Sequence, residues 1–298
     1  MHNNFDINNL DTISVIGVGL LGGSIGLALR AAGFNGTRIG IGRRESSLNK
    51  ALAYEAVDEI TLDVAAGVSR AQLIIICTPI GRFEPILQKM AAALNAGTYI
   101  TDVASTKVEV VKLCGRILPA SVKFVGSHPM AGSEKTGVEF ARADLFEHSL
   151  CIVTPTTKTP QATTRWMRKF WETIGSYTLT MTPEKHDTLL ARVSHLPHAI
   201  ATALVNMSKK DSAIDLAGPG FADTTRIASG DPQLWMDIFG TNRKAMIKAL
   251  DQLIAELTRF RGQLDRDDSK AIHDWLAKSK QIRDRWIAKR HKMKVLPP

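Results

Sequence analysis

Residues 13–33 have the sequence ISVIGVGLLGGSIGLALRAAG, and this stretch decides the fold. It places Gly17, Gly19 and Gly22 directly after an apolar strand pattern and directly before a helical pattern. Such glycines allow a tight turn, let the backbone approach a pyrophosphate and let the helix pack on the strand. The N–H groups that begin the helix then face the phosphates. The stretch predicts a dinucleotide-binding fold, with a purely structural glycine-rich turn as the alternative.

Short β-rich runs alternate with helical runs around this stretch, which is typical of a mostly parallel sheet covered by helices. The predicted strands are Thr12–Gly17, Arg38–Gly42, Leu73–Thr78, Tyr99–Val103, Lys123–Gly126, Leu150–Thr154 and Tyr177–Thr182. The predicted helices between them are Ser24–Ala32, Ser46–Glu55, Phe83–Leu94, Lys107–Leu118 and Gln161–Thr173. We therefore expect an α/β Rossmann-type domain over residues 1–181.

Beyond residue 182 the strand rhythm stops. The remaining patterns predict helices over Glu184–Lys210, over a stretch after Asp231, and from Thr241 to about Lys289, where apolar residues recur every three or four positions. We expect an all-helical substrate-binding domain over residues 182–298. By analogy with other nucleotide-binding domains that are followed by a small helical domain, this domain is expected to join two subunits into a homodimer.

Composition excludes several classes of protein. The chain has 298 residues, of which 44% are apolar and 22% are charged, so a disordered or fibrous chain is excluded. It has neither a run of about 18 apolar residues nor an export signal, which favours a cytoplasmic protein without a membrane partner. The three cysteines, Cys77, Cys114 and Cys151, lie far apart, which argues against a disulfide framework and a zinc module.

The net charge of +9 does not indicate a nucleic-acid partner. Residues 283–298 hold six Lys or Arg and one acid, and so carry five of these nine charges. A basic tail that forms no repeated pattern of alternating aromatic and basic residues, and that has no helix-turn-helix pattern, is typically a solvated chain end.

The second predicted strand indicates which nicotinamide cofactor binds. An acidic residue at its tip would hydrogen-bond the ribose 2′-hydroxyl of NAD. Here Arg43 and Arg44 follow Gly42 instead, and guanidinium groups suit a 2′-phosphate, so NADP is favoured over NAD. The alternative is that both arginines are solvated and Glu45 contacts the ribose.

Three further stretches are too polar for packing alone: DVASTK (102–107), GSHPMAGSEKTG (126–137) and GPGFADTTRIASGDPQLW (218–235). The first two follow predicted strands of the sheet, and open α/β sheets bind ligands at the carboxyl ends of their strands. We expect Ser105 and His128 to meet there, above the nicotinamide.

From about Ile13 to Asn242 the chain resembles the prephenate/arogenate dehydrogenases of tyrosine biosynthesis. The resemblance rests on GVGLLGGS (17–24), the three polar stretches, His186–Asp187, and SHLPH (194–198), in this order. It implies a Rossmann domain, a helical dimer-forming domain, and oxidative decarboxylation of prephenate or arogenate. Hydride would leave C4 for the cofactor while CO₂ leaves C1, without a metal.

The resemblance also implies roles for individual residues. His128 would accept the proton of the C4 hydroxyl, which a neutral imidazole does well near pH 7, and Ser105 would orient that hydroxyl. Arg226 would bind substrate carboxylate, oriented by Asp223. The remaining substrate-binding candidates are His195, His198 and Trp235, and the cofactor-binding candidates are Gly17, Gly19, Leu20, Leu21, Gly22, Arg43, Arg44, Thr78, Pro79, Asp102 and Ser105.

Several alternatives remain open. The substrate is prephenate, arogenate or both, since an acid such as Asp223 would suit either the ammonium group of arogenate or Arg226. A β-hydroxyacid dehydrogenase has a similar architecture but needs a catalytic lysine, for which Lys209 and Lys210 are the candidates. A non-enzymatic NADP-sensing regulator is the third alternative, and it gives Ser105 and His128 no role.

Overall fold

A computed structural model describes residues 6–133 and 135–292. The chain divides into two compact units, residues 1–242 and residues 243–298. The domain boundary predicted after residue 181 stays a prediction. None of the helices in the described ranges is both long and apolar enough to cross a membrane.

Six parallel strands form the main sheet of the first unit, in the order β3-β2-β1-β4-β5-β6. They are β1 (Thr12–Ile16), β2 (Thr37–Ile41), β3 (Glu59–Thr61), β4 (Leu73–Ile76), β5 (Tyr99–Asp102) and β6 (Lys123–Phe124). The strand order reverses between β1 and β4, and ligands of doubly wound sheets bind at this reversal. The predicted Rossmann-type fold is confirmed. The short strand β3 escaped prediction because none of its residues is fully buried.

Helices cover both faces of this sheet: α1 (Leu20–Ala31), α2 (Glu45–Ala53), α3 (Val64–Val68), α4 (Phe83–Ala91), α5 (Val108–Ile117) and α6 (Gln161–Thr173). Alternate residues of the central strands point to opposite faces, as the pleat requires. Val15 and Ile75 pack in one apolar cluster, whereas Ile16 and Ile74 pack in the other. Both faces are therefore buried, which explains the continuously apolar strands.

A second sheet of three strands carries the histidine of the GSHPMAG motif. It consists of β7 (Gly126–Pro129), β8 (Leu150–Thr154) and β9 (Tyr177–Thr180), with β7 antiparallel and β9 parallel to β8. His128 follows the main-sheet strand β6, as predicted, but it also lies within a strand of its own, β7, which the sequence did not predict. Gly126 makes this pairing possible, because a Cβ there would lie 2.7 Å from Oγ1 of Thr154.

The helices that complete the first unit are α7 (Pro183–Leu190), α8 (Leu196–Ser208), α9 (Pro219–Thr225) and α10 (Pro232–Thr241). A π-helical turn, Ala191–His195, separates α7 from α8, so the predicted helix Glu184–Lys210 is interrupted. Pro197 supplies the reason, because it has no N–H to continue a regular hydrogen-bond ladder.

The second unit contains two helices, α11 (Arg243–Asp265) and α12 (Ser269–Lys292). The prediction of one continuous helix from Thr241 to Lys289 is therefore wrong. The chain breaks at Asp267, whose φ is 49°, and the carboxylate of Asp268 accepts the N–H of Ala271 at 3.0 Å. Such side-chain capping begins a new helix. The end of the basic tail, residues 293–298, lies outside the described residues.

Candidate active site

The turn between β1 and α1 packs so tightly that two of its positions exclude any side chain. Gly17 has a φ of 94°, and a Cβ there would lie 2.9 Å from both the carbonyl oxygen of Cys77 and Cγ2 of Thr78. A Cβ on Gly22 would lie 2.2 Å from the carbonyl oxygen of Gly17. The first and third glycines of the motif thus bring strand, turn and helix into direct backbone contact.

Gly19, in contrast, faces open space, because a Cβ there would meet nothing within 4 Å. No side chain caps the helix that begins beside it, so the first-turn N–H groups near Leu20 and Leu21 remain available to an anion. The methyl group of Thr78 packs against this turn. Its hydroxyl is buried without a hydrogen-bond partner among the described residues. An open helix N-terminus beside an orphaned hydroxyl fits the diphosphate of a dinucleotide. Pro79 follows directly after Thr78.

Two arginines stand at the tip of β2. Arg43 and Arg44 are exposed, and Arg44 is the N-cap of α2. Neither guanidinium forms an ion pair with a described residue. The exposed Arg30, Arg70 and Arg116, in contrast, each pair with a glutamate. Glu45, the first residue of α2, is also exposed. All three side chains are thus accessible from solvent.

Asp102, predicted to contact the cofactor, has a fully buried carboxylate that is ion-paired with the equally buried Nζ of Lys107. The same carboxylate accepts the N–H of Ser127 at 3.2 Å, and Nζ of Lys107 donates to the carbonyl oxygen of Ser127 at 2.8 Å. This burial leaves the Asp102 side chain no surface for a cofactor, which corrects that part of the prediction. The pair instead holds the backbone of the residue before His128.

His128 is buried in β7, with 8% of the residue exposed, and one ring nitrogen is engaged. Its Nδ1 lies 2.9 Å from Nε2 of His186, and Nδ1 of His186 lies 2.8 Å from Oδ1 of Asp187. The Asp187 carboxylate also accepts the N–H groups of Lys107 and Val108, at 2.8 and 2.9 Å. His186 and Asp187 belong to the motifs that carry the family resemblance, but the sequence predicts no role for them. Nothing in the sequence pairs either residue with β7.

Burial lowers the pKa of His128 well below its usual value of 6.5, and the neighbouring His186, Lys107 and His195 lower it further. The imidazole is therefore neutral near pH 7. Its Nε2 has no hydrogen-bond partner within the described part of the chain. A neutral imidazole with one free nitrogen is suited to accept a proton from a ligand.

His195, unlike His128, can donate a hydrogen bond to a ligand. The side-chain amide of Asn242 donates to Nδ1 of His195 at 3.1 Å and to the carbonyl oxygen of Asp187 at 2.8 Å. Burial lowers the pKa of His195 to about 4, so the ring is neutral and carries its one proton on Nε2. That N–H is buried without a partner in residues 6–133 and 135–292, which makes it a donor for a ligand oxygen.

His198 lies on the same side of the helix as His195, as their spacing predicts. Its ring stacks on Trp235, with centroids 3.5 Å apart, and His195 meets the same indole edge-on at 6.3 Å. Nδ1 of His198 is buried and unpartnered among the described residues. Both histidines and Trp235 therefore form one aromatic cluster with free polar atoms. Within the described residues, no group of three or more acidic, His or Cys side chains is placed to hold a metal ion.

Asp223 and Arg226 do not support each other as predicted. Both side chains are exposed, and no ion pair joins them in the described structure. Thr225 and Arg226 keep helical backbone angles where α9 gives way to a 3-10 turn, so the spacing would allow a contact. An exposed ion pair gains little free energy in water, however, and the spacing alone does not enforce it. The guanidinium of Arg226 is left without a carboxylate partner among the described residues.

Ser105 lies half-buried in the loop after β5, and no hydrogen bond joins it to His128 in the described chain. The adjacent Thr106 hydroxyl lies 2.9 Å from that of Thr241 at the end of α10. The loop is thus tied to the helix that carries Trp235. The predicted contact of Ser105 with a ligand stays a prediction.

The buried histidines make the folded state sensitive to acid. Burial lowers the pKa values of His128, His186 and His195, so below pH 6.5 the unfolded chain binds more protons than the folded chain. The contribution of these histidines to stability is therefore full above pH 6.5 and is lost as pH falls. The slope is up to about 1.4 kcal/mol per pH unit for each histidine that stays neutral in the folded chain while it is protonated in the unfolded chain. We expect Tm to fall by roughly 5–10 °C between pH 6.5 and pH 5 in differential scanning calorimetry.

Carboxylates also titrate in this pH range. The variant His195→Gln separates their effect from that of the histidines, because it removes one buried histidine and leaves every carboxylate in place. Its Tm should fall less steeply than that of the wild-type protein, because one buried titrating group is gone. Equal slopes for the two proteins, or a Tm independent of pH over this interval, would contradict the prediction.

Two known domain families match this chain. The family described as "Prephenate dehydrogenase, nucleotide-binding domain" matches residues 25–179, and the one described as "Prephenate dehydrogenase, dimerization domain" matches residues 182–278. The two matches together span most of the described chain and meet close to residue 181.

Individual relatives agree with these matches over nearly the whole chain. The prephenate dehydrogenase of Bacillus subtilis is 33% identical over 92% of this chain and 76% of its own length. The cyclohexadienyl dehydrogenase of Zymomonas mobilis is 32% identical over 91% of this chain and 94% of its own. The crystal structure of the Aquifex aeolicus prephenate dehydrogenase, in complex with hydroxyphenyl propionate and NAD⁺, superposes with a TM-score of 0.84 at 33% identity, covering 92% and 98% of the two chains.

Proposed function

We propose, since this chain belongs to the prephenate dehydrogenase family, that it converts prephenate to 4-hydroxyphenylpyruvate by NADP-dependent oxidative decarboxylation in tyrosine biosynthesis. Its membership makes it an NAD(P)-dependent oxidoreductase. The observation that carries the proposal is His128, a buried and neutral imidazole whose Nε2 is free to take a proton.

His128 supplies the proton acceptor that the reaction requires. As hydride leaves C4, the carbon–oxygen bond gains double-bond character and the hydroxyl proton must move to a base. Nε2 of His128 takes that proton, and Ser105 orients the hydroxyl. A nicotinamide, when bound, would supply the acceptor for the hydride. Loss of CO₂ from C1 then makes the ring aromatic, so this chain mainly has to position its substrate and exclude water.

Cationic and neutral donors bind the substrate carboxylates. Arg226 has an unpaired guanidinium, which matches the planar geometry of a carboxylate, and His195 offers the buried N–H on Nε2. His198 and Trp235 form the wall of the pocket, with Asp223 at its edge. The neutral histidines suit this role, because they add hydrogen bonds without the cost of burying further charge.

The preference for NADP is supported by the free guanidinium groups of Arg43 and Arg44 at the tip of β2. The Aquifex relative was crystallised with NAD⁺, so cofactor choice within the family needs its own test. Use of NAD, with Glu45 contacting the ribose, is the alternative.

Replacing Arg43 and Arg44 together by Ala is expected to weaken NADP⁺ binding roughly 10–30-fold and to leave NAD⁺ binding nearly unchanged, because only NADP⁺ carries the 2′-phosphate. Fluorescence titration with each cofactor measures both dissociation constants. The exposed Arg30 and Arg70, changed to Ala together, form the matched control. An unchanged NADP⁺ to NAD⁺ ratio in the first variant would remove this assignment.

The proposed reaction is tested by mixing the protein with prephenate or arogenate and NADP⁺ or NAD⁺, and following the absorbance of reduced cofactor. Turnover of prephenate is the expected result. Turnover of arogenate alone would identify an arogenate dehydrogenase, and turnover of both a dual-substrate enzyme. Cofactor binding without any turnover would indicate the sensing regulator.

We also propose that the protein is a homodimer, since the family over residues 182–278 is described as a dimerization domain. Its cytoplasmic location stays a prediction.

A further inference from the structure

A chain of three buried side chains, Asp187, His186 and His128, stands behind the proposed proton acceptor. The proposed reaction uses only its last member. We propose that His186, held by Asp187, is a positioning residue that keeps the proton of His128 on Nδ1 and so leaves Nε2 as the nitrogen that accepts the substrate proton. This inference deepens the proposed function and rests on it for the role of Nε2.

The direction of each hydrogen bond follows from the far end of the chain. The Asp187 carboxylate accepts two backbone N–H groups, from Lys107 and Val108, and an ionised carboxylate can only accept. Nδ1 of His186 must therefore donate to it. A neutral imidazole has one N–H, so Nε2 of His186 is left with a lone pair and accepts from Nδ1 of His128. The same rule then places the lone pair of His128 on Nε2.

The burial of these groups makes the arrangement hard to change. His186 is 0% exposed, Asp187 3% and His128 8%. A tautomer change in His128 would bring two lone pairs together at 2.9 Å, where neither nitrogen has water as a substitute. An unsatisfied buried polar group costs on the order of 1–3 kcal/mol. Neutral histidine in water, without such a partner, divides its proton between both nitrogens.

A second set of contacts holds the backbone next to His128, and this set is connected to the Asp187–His186–His128 chain. The Asp102–Lys107 pair binds the N–H and carbonyl of Ser127, and the N–H of Lys107 binds Asp187. Asp102, Lys107, Asp187 and His186 thus form one connected group of buried side chains, which fixes both the ring of His128 and the backbone beside it.

The same buried groups affect the positive charge that His128 acquires when Nε2 takes a proton. The ionisable groups that act on His128 are His186, Lys107 and His195, while Asp187, Lys107 and Asp102 act on the neighbouring His186. Lys107 lowers the pKa of His128 even though Asp102 pairs with it, and the Asp187 carboxylate is connected to His128 only through the hydrogen bonds of His186.

The variant His186→Phe tests this inference, because Phe retains an aromatic ring and removes the acceptor. We expect kcat to fall roughly 10–30-fold with KM changed less than about twofold. His186→Gln, whose amide oxygen can accept from Nδ1 of His128, should recover part of the lost rate. The exposed His273, changed to Phe, is the matched control and should keep the wild-type rate.

The decisive readout is the ¹⁵N NMR spectrum of the His128 ring, recorded without substrate. We expect one tautomer with the proton on Nδ1 in the wild-type protein, and a mixture in His186→Phe. A wild-type spectrum with the proton on Nε2 would overturn the inference, even where His186→Phe does not fold. A variant with unchanged kcat and an unchanged tautomer would overturn it as well.

These measurements separate the inference from the proposed function. If the wild-type protein turns over neither prephenate nor arogenate but shows the Nδ1 tautomer, the proposed reaction fails while the positioning by His186 holds. If turnover is observed and the tautomer is Nε2–H, the positioning fails and the reaction holds.

Discussion

Replacing His128 by Asn is expected to lower kcat for prephenate by roughly 10³-fold while KM changes less than about threefold. Asn retains a hydrogen-bonding group of similar reach but cannot accept a proton near neutral pH. The proton of the C4 hydroxyl would then have to leave to water in a buried site. The loss is therefore concentrated in the chemical step rather than in binding.

Steady-state kinetics over a range of prephenate concentrations separates the two parameters. His148→Asn is the matched control, because His148 is exposed and has a φ of 58°, a conformation that Asn tolerates well. The control should behave as the wild-type protein does. A wild-type kcat in His128→Asn would show that another group accepts the proton, and weaker cofactor binding alone would show that His128 is misassigned.

Changing Arg226 to Ala should raise KM for prephenate roughly 100-fold, with a smaller effect on kcat. The guanidinium has no carboxylate partner among the described residues, so its full hydrogen-bonding capacity is available to a substrate carboxylate. A charge-assisted, bidentate contact is worth about 3 kcal/mol, which corresponds to this factor. No internal ion pair is broken, so we expect folding to be unaffected.

Arg226→Lys should recover only part of the affinity, since a lysine keeps the charge but not the two-pronged geometry. The exposed Arg165, in α6, gives a matched Arg→Ala control that should leave KM unchanged. Initial rates and a thermal melt of each variant complete the comparison. An Arg226→Ala protein with the wild-type KM would exclude this residue from substrate binding.

Local patterns predicted most of the first unit. The helix Gln161–Thr173 has the predicted limits, and strand Leu150–Thr154 does too. The same patterns failed at residues 126–129, where a strand forms only because β8 lies beside it. They also failed at Asp267, where a left-handed residue divides what periodicity alone presents as one helix.

The Asp223–Arg226 pair illustrates the limit of spacing arguments. Three residues of separation on a helical backbone allow two side chains to meet but do not oblige them to, because an exposed ion pair is worth little in water. Asp102 illustrates a second limit. Its position after a strand is that of a ligand-binding residue, but Lys107 and Ser127 occupy its carboxylate.

The sequence by itself determined the dinucleotide-binding turn, the alternation of strands and helices, and the motifs that contain His128 and Arg226. Each of these depends on residues close in the chain, where steric limits and apolar periodicity act directly. Only the tertiary structure decided that His186, 58 positions further along the chain, holds His128. Hydrogen bonds between distant segments depend on where the whole fold brings them, and spacing along the chain carries no record of that.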